Sequence, residues 1–327
     1  MPDSSFVTQD IFHECSACGR CCDSGPSLLL AELFRFQDRF IGCLALRRVP
    51  RLRASDIVAG GHRATESDVS STAFLAKQLL HQTSLDLRCD VELTIHAYSY
   101  ESLHVCPALE TDGKCGLHQQ GKPTSCQCVP FDALLPNEMQ RWVLAERASE
   151  ASAWGASCIA THPITQTSPV VTRLSVVNEH VQTLEKRRKH LVIERELWGN
   201  FVFSQLETAW SHDPARLWAV PSSGYLLMSL VPMLTHLARH SPASHARVLR
   251  FLGAQEELMK ASIQLALSRK NSADRQETQL LRSLLEKNKM LHSRLKNSSV
   301  IAHKANDAAA LDQPAELSLT GAVALVL

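Results

Sequence analysis

Between Leu85 and Ala97 (LDLRCDVELTIHA) every odd position is apolar and every even one is polar or charged. Strict period two predicts a long strand with one face on a core. It also puts Cys89 on the apolar face, where a thiol packs as a small hydrophobe. The run Met139 to Ala145 is a second candidate strand that would pair with it. After the Gly25-Pro26 turn, Ser27 stands as the cap of a predicted helix through LLLAELFRFQDRFIGCL. Leu30, Leu33, Phe34 and Ile41 recur there at helical spacing, with Cys43 near the end of the stripe. From Arg47 to Thr72 the pattern fades, and Arg47, Arg48, Arg51 and Arg53 read as a solvated loop. Beyond Pro163 and Pro169, residues 174–210, 225–237 and 246–267 predict amphipathic helices. Leu281, Leu284, Leu291 and Leu295 keep heptad spacing, with Asn288 at an a position. Two heptads are short for a coiled coil, so packing onto a helical bundle is expected.

Composition narrows the classes. In 327 residues, 45% are hydrophobic and the formal net charge is +1. That composition buries a core and excludes wholesale disorder. It supplies no global positive field, so no nucleic-acid partner is expected. The segment MPDSSFVTQDIFHE has neither the basic nor the apolar region of a secretory signal. The longest apolar stretch, Tyr225 to Leu237, is too short and interrupted to span a bilayer. A cytoplasmic protein with no membrane partner is the expectation.

The cysteines change the picture most. All 11 fall between Cys15 and Cys158. In a reducing compartment such a set serves metal or redox chemistry more often than disulfides. Cys15, Cys18, Cys21 and Cys22 form CxxCxxCC, in which paired thiolates point at one metal and Gly19 relieves a tight turn. Adjacent side chains diverge, so Cys21 and Cys22 suit two metal ions or two irons of one cluster. Cys106, Cys115 and Cys126 follow in a Gly- and Pro-rich frame, the kind of irregular segment that a metal would hold together. Cys43 and Cys89 read as core residues. His13, His104 and His118 lie near the candidate ligands and suit donation to sulfur better than direct ligation. The remaining histidines read as surface groups. No GxGxxG, P-loop, HExxH or nucleophile elbow occurs.

HECSACGRCC and CPALETDGKCGLHQQGKPTSCQCVPF together resemble the YkgJ-type cysteine-cluster family, a zinc- or iron-chelating domain. Its pattern is CxxCGxCC followed by CPxL, GxC and RPxxCRxFPF elements and often one further cysteine. Cys15, Cys18, Cys21 and Cys22 match the first element, and Cys106-Pro107-Ala108-Leu109 match the second. Gly113-Lys114-Cys115 and Lys122-Pro123-Thr124-Ser125-Cys126 match the next two, and Cys158 falls where the trailing cysteine is expected. The likeness spans about residues 12–160. Leu117-His118 stand in place of Ile-Tyr, while Lys122 and Gln127 replace arginines whose bidentate fork they cannot reproduce. The resemblance implies eight metal ligands, Cys15, Cys18, Cys21, Cys22, Cys106, Cys115, Cys126 and Cys158, with Cys128 as a possible substitute. Eight thiolates suit two tetrahedral sites, or one cluster plus one zinc.

The expected architecture is α+β. A cysteine-rich, loop-rich metal-binding domain with a small antiparallel sheet (1–165) precedes a mainly α-helical region (166–297) and a flexible tail (298–327). The expected function is chelation of zinc or an iron–sulfur centre. An iron–sulfur oxidoreductase or electron-transfer protein is the alternative. A protein-modifying enzyme is a weaker one: flagellin lysine methylases carry a looser cluster of this style, but no methyl-donor motif accompanies it here. The helical half is a candidate docking surface for an unknown protein partner.

Overall fold

The structure, a computed structural model, describes residues 8–15, 19, 22–153, 156–164, 168–172 and 175–309, with side chains through residue 297. The fold is α+β with small antiparallel sheets. The strands are β1 (Phe12–His13), β2 (Ser27–Leu28), β3 (Gly42–Pro50), β4 (His81–Gln82), β5 (Cys89–Ala97), β6 (Ile159–Ala160) and β7 (Leu226–Met228). The helices are α1 (Leu30–Arg35), α2 (Glu66–Leu79), α3 (Thr124–Cys128), α4 (Gln140–Ala153), α5 (Asn178–Glu194), α6 (Asn200–His212), α7 (Ala215–Trp218), α8 (Val231–Leu237), α9 (Pro242–Arg269) and α10 (Asp274–Ala309). A π-helical turn, Arg195–Gly199, joins α5 to α6.

The period-two segment forms the centre of the main sheet, in the order β2-β5-β3-β7, with β4 also on β5. Register sets Leu44 opposite Ile95 and Leu46 opposite Leu93, and this apolar face feeds two clusters. In one, Leu28, Leu44 and Ile95 pack with Trp198, Val202, Met233, Leu234 and Phe251. In the other, Leu46 and Val91 pack with Phe203, Trp210 and Leu217. A sheet face and helix stripes are the complementary surfaces from which a layered core is built. Residues 85–88 turn rather than extend the strand, because Asp86 accepts from the Arg88 backbone N–H at 3.0 Å and from the Cys89 thiol at 3.4 Å.

Several sequence expectations are corrected. Cys43 sits in β3, not on a helix, because α1 stops at Arg35 and the apolar run GCLAL is buried on both faces of a strand. Short apolar runs do not discriminate helix from buried strand. Met139 to Ala145 lies in a 3-10 turn and α4, whose buried Val143, Leu144, Ala148 and Ala151 share a helical face. Arg47 and Arg48 lie in β3 rather than a loop, and Arg47 and the partly exposed Arg51 pair with Glu92 at 2.6 Å and Asp90 at 2.8 Å. His81 and His96 are strand residues with little exposure rather than surface groups. Burial holds both below the ordinary histidine range, to about 3 and about 4.

The helical hairpin α9–α10 seals one end. Leu281, Leu284 and Leu285 meet Met259, Ile263 and Ala266, together with Ile41, Cys43, Tyr98 and Tyr100. Asn288 is buried against the Met259 sulfur at 3.8 Å. Buried Gln255 ties α9 to the β3 approach: it accepts from the Gly42 N–H at 2.9 Å and donates to the Gln37 and Phe40 carbonyls. The packing thus crosses residue 165, since β7 and the helices after it complete the sheet and core that residues 28–97 begin. Of the expected tail, residues 298–309 continue α10, and residues 310–327 lie outside the described residues.

Candidate metal centre

The cysteine segments lie in loops and short elements on the rim of this core. β1 pairs with β6, and the Glu14 N–H donates to the Cys158 carbonyl at 3.0 Å. Cys158 is thereby set, at one end of a two-stranded ribbon, beside Glu14, the chain neighbour of Cys15. Lys122 Nζ lies 3.6 Å from Cys15 Sγ. His13 beside them is held down to about 4, first by burial and then by the nearby His180 and Lys122.

A second group forms where the knuckle docks on the Cys106–Cys115 turn. The Cys106 N–H donates to the Cys22 carbonyl at 2.8 Å, and Leu109 bridges Cys115. Gly19 has φ +74°, and a Cβ there would lie 2.1 Å from the Gly113 carbonyl oxygen. Only glycine allows both the left-handed conformation and that approach. Cys126 is carried by α3, whose first N–H, on Thr124, donates to Glu32 at 2.6 Å. Burial pushes the Cys126 thiol up to about 11, with Cys106 and Cys115 among its electrostatic neighbours. Cys106 is raised for the same first reason, while the Ala108 N–H donates to its sulfur at 3.4 Å.

Of the eight expected ligands, Cys22, Cys106, Cys115 and Cys126 thus share one neighbourhood, while Cys15 and Cys158 lie at the end of the β1–β6 ribbon. Cys18 and Cys21 lie outside the described residues. Among the described residues, no three His, Cys, Asp or Glu side chains converge as a metal site. Cys128 faces the other way: it is buried, its thiol lies 3.7 Å from the Thr183 carbonyl oxygen, and its electrostatic neighbours include Arg187 and Arg188 but no cysteine. His104 and His118 are exposed on the loops, and Cys43 and Cys89 are buried in the sheet.

Behind α3 lies a feature that motif reading passes over. A cavity of about 290 Å³ opens between α3, the polar face of β5 and α5. Its walls include Arg47, Arg147, Arg187, Glu92, Glu194 and Trp198. Both Arg47 Nε and Nη2 donate to one oxygen of Glu92, at 2.9 and 2.6 Å, and Tyr225 donates to the same carboxylate at 3.3 Å. Glu194 accepts from the Leu30 N–H at 3.0 Å and from Trp198 Nε1 at 2.6 Å. Burial pushes its carboxyl up to about 7. The sequence signal was present: Leu184, Arg187, Leu191, Glu194 and Trp198 share one helical stripe, so two charges occupy apolar register.

Comparison with known proteins finds no matching family model, no matching curated protein and no matching solved structure. No helix among the described residues is long and apolar enough to cross a membrane.

Proposed function

We propose that the protein chelates zinc or an iron–sulfur centre through Cys15, Cys18, Cys21, Cys22, Cys106, Cys115, Cys126 and Cys158, as its resemblance to the YkgJ-type cluster proteins implies. The observation that carries this reading is the docking of the knuckle on the Cys106–Cys115 turn through the Cys22–Cys106 backbone hydrogen bond and the glycine contact. The contact brings two thiol segments separated by some eighty residues to one edge of the main core, where Cys106 is buried and Cys22 and Cys115 pack against it. A metal supplies such loops with folding free energy. All-sulfur donors favour zinc or iron–sulfur chemistry over magnesium or calcium. The buried thiols of Cys106 and Cys126 would give up their protons to the metal, since the thiolate is the ligand.

The test is anaerobic purification of the full chain followed by zinc and iron analysis and a visible spectrum. At least one equivalent of metal is expected, reduced by Cys106→Ser or Cys126→Ser. A folded protein with substoichiometric zinc and iron overturns the proposal. Visible absorbance that bleaches with dithionite assigns iron–sulfur; a colourless protein holding zinc assigns a zinc site.

A further inference from the structure

Arg187 is 4% exposed, and its guanidinium donates to two hydroxyls, Thr124 Oγ1 and Ser27 Oγ, each at 2.9 Å. Among the described residues it takes part in no ion pair, although other sheet and helix arginines do. A buried guanidinium without a carboxylate partner is costly, because neutral hydroxyls do not replace the lost hydration of a full charge. None of the three acids lining the cavity, nor Glu32 whose charge also acts on Arg187, hydrogen-bonds to the Arg187 guanidinium. Asp132 accepts from the Leu134 N–H at 2.8 Å, and Glu32 from the Leu29 and Thr124 N–H groups. Glu92 is taken by Arg47 and Tyr225, and Glu194 by the Leu30 N–H and the Trp198 indole. Arg147 also faces the cavity and makes no hydrogen bond or ion pair among the described residues. Nearby, Arg195 has a buried Nε with no hydrogen-bond partner.

The lining also includes the apolar side chains of Leu79, Leu134, Leu191, Phe131 and Trp198. Convergent polar groups on an apolar wall are the usual composition of a small-molecule site, and this volume is near the lower end for one. An inorganic ion would leave those apolar side chains uncovered. A neutral apolar molecule would leave Arg187 uncompensated.

We propose that this cavity binds a small organic carboxylate, its carboxylate held by Arg187 and Arg147 and its apolar body lying against Leu79, Leu191 and Trp198. The planar guanidinium fork matches a carboxylate in two parallel hydrogen bonds. The site adjoins α3, so the ligand would lie on the far side of the helix that carries Cys126, with the Cys128 thiol in its wall. It is independent of whether the cysteines hold metal.

The test is isothermal titration calorimetry of the full chain at low salt with phenylacetate and hexanoate, against phenylacetamide and inorganic phosphate. At least one carboxylate is expected to bind at least about tenfold more tightly than the amide or phosphate, since a charge-assisted hydrogen bond is worth that factor or more. Arg187→Gln and Arg147→Gln are each expected to weaken binding by about tenfold or more. Arg187→Gln loses two internal hydrogen bonds and could unfold. Arg147→Gln loses none among the described residues, so its effect on binding is read on a folded protein whose melting curve is unchanged. Failure of both carboxylates to bind at millimolar concentration overturns the proposal. So does amide binding of equal strength, phosphate binding in preference to both, or full affinity in Arg147→Gln.

Discussion

The sheet-centred body and the cysteine-bearing rim share one hydrophobic cluster but take part in it to different depths. In the body, Leu44 and Ile95 are wholly buried and pack with Phe251, Trp198 and Leu234, and wholly buried Leu46 packs with Phe203 and Trp210, so removal of apolar area from water supplies the stability. On the rim, Cys106, Ala108 and Leu117 reach into that core while backbone hydrogen bonds and a tight glycine contact do the rest of the joining. Cys15 is exposed there, and Cys22, Cys115, Cys126 and Cys158 are only half-buried. The lesson is that one continuous chain can carry a deeply interlocked core and, at its edge, loops joined to that core by a few buried side chains and backbone hydrogen bonds.

Substitutions that separate the two regions sharpen the comparison. The largest effect is expected in the body: Leu44→Ala removes a wholly buried side chain and should cost about 2–5 kcal/mol in urea unfolding. Metal bound per folded molecule should stay the same. If metal falls in proportion to stability instead, rim and body are one cooperative unit.

A smaller effect is expected at the border, from Glu194. Its folded carboxyl is raised to about 7 from 4.5, so between those values the native state binds more protons than the unfolded chain. Stability contributed by this group is therefore lost as pH rises through that window, by no more than about 3 kcal/mol. Glu194→Gln should remove this fall, at the cost of one hydrogen bond, and comparison of unfolding curves at pH 5 and pH 8 measures it. Equal pH slopes in the two proteins would mean that Glu194 is ionised throughout.

The smallest effect on global stability is expected from Gly19→Ala on the rim, where left-handed backbone costs about 1–2 kcal/mol locally. The contact with the Gly113 carbonyl forces the knuckle away from its turn. The prediction is a large loss of bound metal with an unfolding midpoint of the body that scarcely moves. Metal retained at the wild-type level would place the knuckle outside the metal centre.

Legibility followed the length scale of the signal. The alternation from Cys89 to Ala97 reports a local period, and β5 forms there because each apolar position meets a partner at short range. The heptad leucines of α10 read correctly as packing onto the helices for the same reason. GCLAL around Cys43 and MQRWVLA after Asn137 did not, since short apolar runs take whichever structure their neighbours complete. Spacing alone linked the thiols into candidate groups, but it could not reveal that Cys128 turns toward Arg187 while Cys126 turns toward Cys106. Those two residues share one turn of helix and diverge by its geometry.

By itself the sequence determined the chemical inventory, which is a thiol-rich first half, apolar content sufficient for a core, and one unmistakable strand. Tertiary structure decided which residues share a neighbourhood. It closed β7 onto β3 across residue 165 and set Cys158 beside Glu14. It also buried Arg187 and Glu194 behind α3, although their place in the sequence lies outside the cysteine motifs. The physical reason is that periodicity and spacing encode contacts within a few residues, whereas a cavity or a pair of distant thiols arises only when separate elements pack.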